Sequence, residues 1–144
     1  MDTLPDPERV LAAEGYKLRR NIGEGGYGRV WMADTPGGDT VALKIVEGRD
    51  GDRTAFDRER DALVRMRNLG LVSEHLVPVD DIEIHEEHGF LSYTMPLADD
   101  VSGNPVIDRD AYKARTLAEE ISRRGRIPVP ECVAVCKRVL GAVK

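Results

Sequence analysis

The chain has 144 residues, with 21 Lys and Arg against 26 Asp and Glu, for a formal net charge of −5; that length fits one domain or part of a larger one. A content of 41% hydrophobic and 33% charged residues excludes wholesale disorder, and a mildly acidic chain without a basic stripe is a poor nucleic-acid binder. No apolar run approaches the roughly 18 residues of a membrane span, the acidic start Met1-Asp2-Thr3-Leu4-Pro5-Asp6-Pro7-Glu8 is no signal peptide, and two cysteines make no disulfide framework, so a reducing cytoplasm is the expected setting.

Residues 6 to 14 are expected to form a short helix, with Asp6 as cap, Pro7 in the first turn and Gly15 as the stop. Three strands should follow, over 16–22, 29–34 and 40–46. On the second, Val30 and Met32 face opposite to Arg29, Trp31 and Ala33. On the third, Val41, Leu43 and Ile45 face opposite to Ala42, Lys44 and Val46. Thr35-Pro36-Gly37-Gly38-Asp39 is turn chemistry and joins the last two as a hairpin.

After a polar loop over 48–52, residues 53–69 have helix composition, with Phe56, Leu63, Met66 and Leu69 on one stripe and Gly70 at the end. Two more strands are expected at 77–85 and 90–95, turned by Glu86-Glu87-His88-Gly89. An Asp-, Gly- and Pro-rich segment over 98–113 reads as an exposed connection. Thr116, with Glu119 three residues on, makes a capping box for a helix over 116–124, ended by Gly125. A last helix begins near Pro130. The pattern predicts an α+β fold with a five-stranded antiparallel sheet, one helix after the third strand, and two final helices.

Gly23-Glu24-Gly25-Gly26-Tyr27-Gly28 fits G-x-G-x-x-G. A dinucleotide-binding motif must open a helix, but here the β-prone, alternating run from Arg29 to Ala33 follows. A P-loop also fails, since no Gly-Lys-Ser/Thr comes next. Two readings stand at this point: a plain glycine turn, or a hairpin whose backbone N–H groups approach phosphate oxygens without Cβ interference.

Sixteen residues past Gly28, Val41-Ala42-Leu43-Lys44 lies on the third strand, and Glu59 lies fifteen residues further, on the helix. Together with Val30 after the glycine motif, this set resembles the small lobe of a protein kinase, most closely the bacterial serine/threonine type. The resemblance runs over nearly the whole chain. It implies that Lys44 contacts the α- and β-phosphates of ATP and that Glu59 orients it. A solvated strand lysine and a surface carboxylate beside Asp57 and Asp61 are the ordinary alternatives. Glu59 is preferred because it lies three residues after Phe56 and four before Leu63.

The resemblance further implies that Ile22, Val30 and Ala42 roof the adenine, and that Gly23, Glu24, Gly25, Gly26, Tyr27 and Gly28 cover the phosphates. Met95 would be the gatekeeper, Pro96 would offer its carbonyl and Ala98 its N–H to the base. Residues 1–15 would be a helical extension, 16–98 the small lobe with its hinge, 99–115 a linker, and 116–144 the first helices of a truncated large lobe. Asp99 and Asp100 are candidate ribose contacts, with a solvated loop as the commoner outcome.

The family's His-Arg-Asp…Asn catalytic loop and Asp-Phe-Gly magnesium motif do not occur in the chain. The expectation is a portion of a longer kinase that uses ATP and Mg2+ on a protein substrate, itself inactive, with its magnesium ligands and any membrane anchor beyond residue 144. A pseudokinase or scaffold is the alternative, and a small-molecule kinase a third reading. Cys132, Val135, Cys136, Val139, Leu140 and Val143 recur at helical spacing. Such a stripe over 132–143 would be covered by a second copy, by homo-oligomerisation or helix exchange. For Cys132 and Cys136, core packing is weighed above metal binding. His75, His85 and His88 read as turn or strand residues rather than ligands.

Overall fold

Local chemistry sets most of the elements of the computed structural model, which describes residues 6–25, 28–48, 52–70 and 74–142. Helix α1 spans Pro7–Ala13, with the Asp6 side chain accepting from Glu8 N at 3.2 Å and proline in the first turn. Gly15 then turns the chain at φ +100°, a region that disfavours L side chains. Strands β1 (Lys17–Gly25) and β2 (Gly28–Asp34) form a hairpin, with Gly25 opposite Gly28. Thus β1 runs three residues beyond its expected end, because the glycines continue the ladder. Strand β3 (Thr40–Glu47) returns antiparallel from β2, with Asp34 opposite Thr40 and the turn closed by Thr35 N donating to Asp39 O at 2.8 Å.

Helix α2 spans Thr54–Leu69 and ends on Gly70 in the left-handed conformation. Strands β4 (Asp80–His85) and β5 (Phe90–Met95) are joined by a single 3-10 turn, Glu86–His88, closed by Gly89 at φ +68°. The sheet order is β1-β2-β3-β5-β4, with every neighbouring pair antiparallel. Strand β4 starts at Asp80, not at Val77, which is exposed. Pro78 has no N–H to give a ladder, and Asp81 adopts a left-handed φ of +46° at a register shift between Asp80 and Glu83.

The chain divides into two compact units. The first, Met1–Leu71 with Pro78–Leu97, holds the sheet, α1 and α2. Its two sheet faces carry separate cores. On one face Leu11, Tyr16, Ala33, Leu43, Ile45 and Phe90 pack together; on the other, Val46, Phe56, Leu63, Leu91 and Tyr93 do. The alternation read from β3 accounts for this division, since Leu43 and Ile45 point one way and Val46 the other. Arg29 ties α1 to the sheet through ion pairs of 3.0 Å to Glu8 and 3.0 Å to Glu47. On α2, Phe56 and Leu63 are buried as expected, whereas Leu69 is exposed. Leu69 is the last helical residue and lies beyond the reach of the sheet-facing cluster.

The second unit is Val72–Val77 with Ala98–Lys144. Its first stretch differs from the exposed connection expected. Asp100 and Tyr112 are buried, and the segment closes on itself. Asp100 Oδ1 accepts from Ser102 N at 2.8 Å and Oδ2 from Lys113 N at 3.0 Å, while Tyr112 Oη donates to Ala98 O at 3.0 Å. Helix α3 (Leu117–Arg124) is capped by Thr116, whose Oγ1 accepts from Glu119 N at 3.1 Å. Arg124 then grips Glu131 of α4 (Val129–Ala142) through two bonds of 2.7 and 2.8 Å. Both Cys132 and Cys136 are exposed, not core residues, and Val133, Val139 and Leu140 beside them are exposed too. The reason is that no residue of α4 within its described length is buried. Val143, the last member of the expected stripe, lies outside the described residues.

Among the described glycines, Gly28 has the least room for a side chain. It sits at φ +143°, and a Cβ there would lie 2.3 Å from the Ile45 carbonyl oxygen. Gly28→Ala is therefore expected to destabilise the first unit by about 2 kcal/mol or more, from backbone strain and a forced opening of β2 from β3. Gly25→Ala, where an added Cβ meets nothing within 4 Å, should stay within about 0.5 kcal/mol. Equal midpoints for the two variants in urea unfolding would contradict this account.

Candidate functional site

The face of the sheet that carries α2 also collects most of the residues singled out from the sequence. In an antiparallel ladder directly opposed residues share a face. Gly23, Val30, Lys44 and Tyr93 form one such row across β1, β2, β3 and β5. Met32, Ala42 and Met95 form the next. Ala42 is buried and the Met95 side chain half-buried, packed against the α2-side core. Ile22 lies at the register shift between Asn21 and Gly23 and is half-buried, while Glu24 and Gly25 are exposed at the end of β1. Gly26 and Tyr27 lie outside the described residues. Pro96 is exposed at the end of the first unit, and Ala98 belongs to the second.

Lys44 Nζ lies 2.8 Å from Glu59 Oε1, and both side chains are largely withdrawn from solvent, at 21% and 23% exposure. The contact follows from local structure. Lys44 rises from the middle of β3, and α2 is anchored to the same face by Phe56 and Leu63, between which Glu59 projects. A second donor was not anticipated from the sequence. Tyr93, directly opposite Lys44 on β5, donates its hydroxyl to the same Glu59 oxygen at 2.5 Å. Its ring also lies 5.6 Å from the Lys44 ammonium. The parity of β5 carried a signal for it, since Tyr93 lies two residues before Met95 and so shares its face.

Burial by itself pushes the Glu59 carboxyl up, but the hydrogen bonds from Lys44 and Tyr93 outweigh it and hold the group below its ordinary value of 4.5. Burial, and then the neighbouring carboxylate, push the Tyr93 phenol far up, so it stays a donor at all ordinary pH. The arrangement presents one oriented ammonium, its geometry fixed from two sides, on a sheet face bordered by a glycine-rich hairpin. Such a group can meet an anion without first reorganising.

The folded-state pKa of Glu59 is depressed, so its stabilisation is fully present above its ordinary pKa and is lost as pH falls through the folded value. Tyr93→Phe removes one donor. It is expected to cost about 1 kcal/mol or more, to raise the Glu59 carboxyl pKa, and to flatten the loss of stability on acidification. Urea unfolding across the acid range, with carbon-13 titration of Glu59, checks this. An unmoved carboxyl titration would rule the hydroxyl out as a determinant.

No family model matches the chain. Relatives are nonetheless found. The chain is 29% identical over 126 residues to the serine/threonine-protein kinase PknA of Corynebacterium glutamicum, across 85% of this chain and 24% of that protein. It is 29% identical over 134 residues to PknE of Mycobacterium bovis, across 89% of this chain and 20% of that protein. A shorter stretch of 68 residues is 37% identical to the proline-rich receptor-like protein kinase PERK10 of Arabidopsis thaliana, across 46% of this chain and 9% of that protein. The chain thus spans about a quarter or less of these relatives. Among solved structures, the Mycobacterium tuberculosis PknI kinase domain superposes with a TM-score of 0.60 at 23% identity, over 89% of this chain and 45% of that one. The five-stranded antiparallel sheet and its helices thus have the fold of a protein-kinase small lobe, in a chain similar over most of its length to bacterial serine/threonine-protein kinases.

Proposed function

We propose that this chain is the ATP-binding, small-lobe portion of a serine/threonine protein kinase, a reading carried by the 2.8 Å contact between Lys44 and Glu59 on the face bordered by the glycine-rich hairpin. Lys44 meets the α- and β-phosphates and Glu59 orients it. Backbone N–H groups of residues 23–28 cover the phosphates, with Gly28 keeping the β2 start close against β3. Ile22, Val30 and Ala42 line the adenine side, Met95 closes its back, and Pro96 offers its carbonyl to the base. Residues 16–98 then act as the small lobe with its hinge, 99–115 as a folded connector, and 116–144 as the first large-lobe helices.

The enzyme to which this portion belongs would transfer the γ-phosphate of ATP to protein Ser or Thr hydroxyls with magnesium. The relatives' kinase names and the retention of both Lys44 and Glu59 favour that over a scaffold without phosphotransfer. No residue of this chain is assigned to magnesium or to the catalytic base, so these 144 residues by themselves are proposed to bind ATP weakly and to transfer nothing.

The test is a titration of the isotope-labelled chain with ATP, followed by amide NMR. The expected result is saturable shifts at Gly23, Gly25, Gly28, Val30, Ala42 and Lys44, with a Kd near about 1 mM, equivalent to about 4 kcal/mol of binding free energy. No shift at tenfold higher ATP, or shifts gathered on α3 and α4 instead, would defeat the proposal.

A further inference from the structure

On the sheet face away from Lys44, three metal-ligating side chains converge from two elements distant in sequence. Glu83 and His85 lie two apart on β4 and so share a face. Glu14 caps the end of α1, directly before the left-handed Gly15 and the buried Tyr16 that turn the chain. His85 Nε2 lies 3.4 Å from Glu83 Oε2 and 3.8 Å from Glu14 Oε1. One ligand atom from each of the three falls within 4.8 Å of the others.

The imidazole is held in place. Its ring stacks on the fully buried Phe90, with centroids 4.4 Å apart and planes 20° apart, and His88 stacks beyond it at 6.3 Å. Its Nε2 is buried and has no hydrogen-bond partner among the described residues. A buried ring nitrogen normally has a partner; here it is aimed between two carboxylates and bonded to neither. Those carboxylates are themselves crowded. Their ligand oxygens lie within 4.8 Å of one another and of the imidazole nitrogen.

We propose that Glu14, Glu83 and His85 form a binding site for a divalent transition-metal ion of the zinc type, clasping the end of α1 to the edge strand β4. One imidazole and two carboxylates suit such an ion, and three protein ligands leave a coordination position for water. Magnesium is a poor fit, since it favours an octahedron of oxygens and gives up its waters reluctantly. Zinc–ligand bonds are about 2.0–2.2 Å, so the present spread must contract on binding. The two glutamates are long and partly solvent-exposed, at 35% and 41%, and can close on the fixed imidazole. The site is independent of the nucleotide reading.

The experiment uses the full chain with Cys132→Ser and Cys136→Ser, because two exposed thiols four residues apart on α4 would compete for zinc. Chelator-stripped protein is titrated calorimetrically with zinc chloride alone, with magnesium chloride in parallel, and its melting temperature is followed. The expected result is one zinc per chain, a melting temperature that rises with zinc, and affinity weakened by about tenfold or more, about 1.4 kcal/mol, in Glu14→Gln, Glu83→Gln and His85→Gln. Glu14→Gln, on the partly exposed cap of a helix, serves if the His85 variant fails to fold. No zinc binding, zinc binding undiminished in Glu14→Gln and Glu83→Gln, or magnesium bound as tightly as zinc would each overturn the assignment.

Discussion

Lys44→Met should abolish the ATP-induced shifts at the glycine hairpin while leaving the first unit folded. The ammonium lies 2.8 Å from Glu59 and is the one cation of the ladder row that also carries Gly23, Val30 and Tyr93. A hydrogen bond to a charged group contributes about 1.5–3 kcal/mol, so affinity for ATP should fall by roughly ten- to a hundredfold, beyond reach of a titration that starts near about 1 mM. Methionine keeps the length and the apolar stem, so packing beside Val46 changes little. Glu59 keeps the Tyr93 hydroxyl as a donor, but loses its counter-charge, and its carboxyl pKa should rise. Where the chain forms part of an active kinase, phosphotransfer should fall with ATP binding. Undiminished ATP shifts in the methionine variant would remove Lys44 from the site and with it the proposed function.

The second large effect is on stability. Phe56 is fully buried on α2 against Val46, Leu63, Leu91 and Tyr93, with the guanidinium carbon of Arg53 4.6 Å above its ring. Phe56→Ala should cost about 3–5 kcal/mol, the lost transfer of the ring plus the cavity it leaves. Because Phe56 and Leu63 are the two buried anchors of α2, the helix should loosen as a body, and the Glu59 carboxyl should drift towards its ordinary pKa. Leu69→Ala is the matched control. It lies on the same nominal stripe but is 69% exposed, and should change stability by no more than about 0.5 kcal/mol. Urea unfolding of both variants decides the matter, and similar losses would mean that α2 is held by something other than this cluster.

Elements whose signals lie within a few residues of one another were legible in the sequence. Asp6 and Pro7 start α1, Thr116 and Glu119 start α3, and Gly70, Gly89 and Gly125 end the turns that precede them. Each acts through hydrogen bonds or backbone conformations that span at most one helical turn. The alternation of Leu43, Ile45 and Val46 divided the two cores correctly for the same reason, since a strand's period belongs to the chain itself. The Lys44–Glu59 approach follows from a family resemblance, and the helix spacing of Glu59 from Phe56 and Leu63 selects that carboxylate over Asp57 and Asp61.

What went unforeseen depends on strand register and on closures between distant residues. Tyr93 reaches Glu59 only because β5 pairs with β3 in the one register that sets it opposite Lys44; a slip of one residue would turn it to the other face. Asp100 is buried because Lys113, thirteen residues on, returns to it. The cysteines of α4 are exposed because apolar spacing marks a face without supplying anything to cover it. Glu14, Glu83 and His85 meet because His85 of β4 stacks on Phe90, which packs in the same cluster as Leu11 of α1. The elements, their caps and their two-sided patterning follow from residues a few positions apart, because each acts over a short chain distance. Which polar side chains share a partner is set by the folded chain as a whole, because the loop closures and pairings that join them draw on energies summed over the whole sheet.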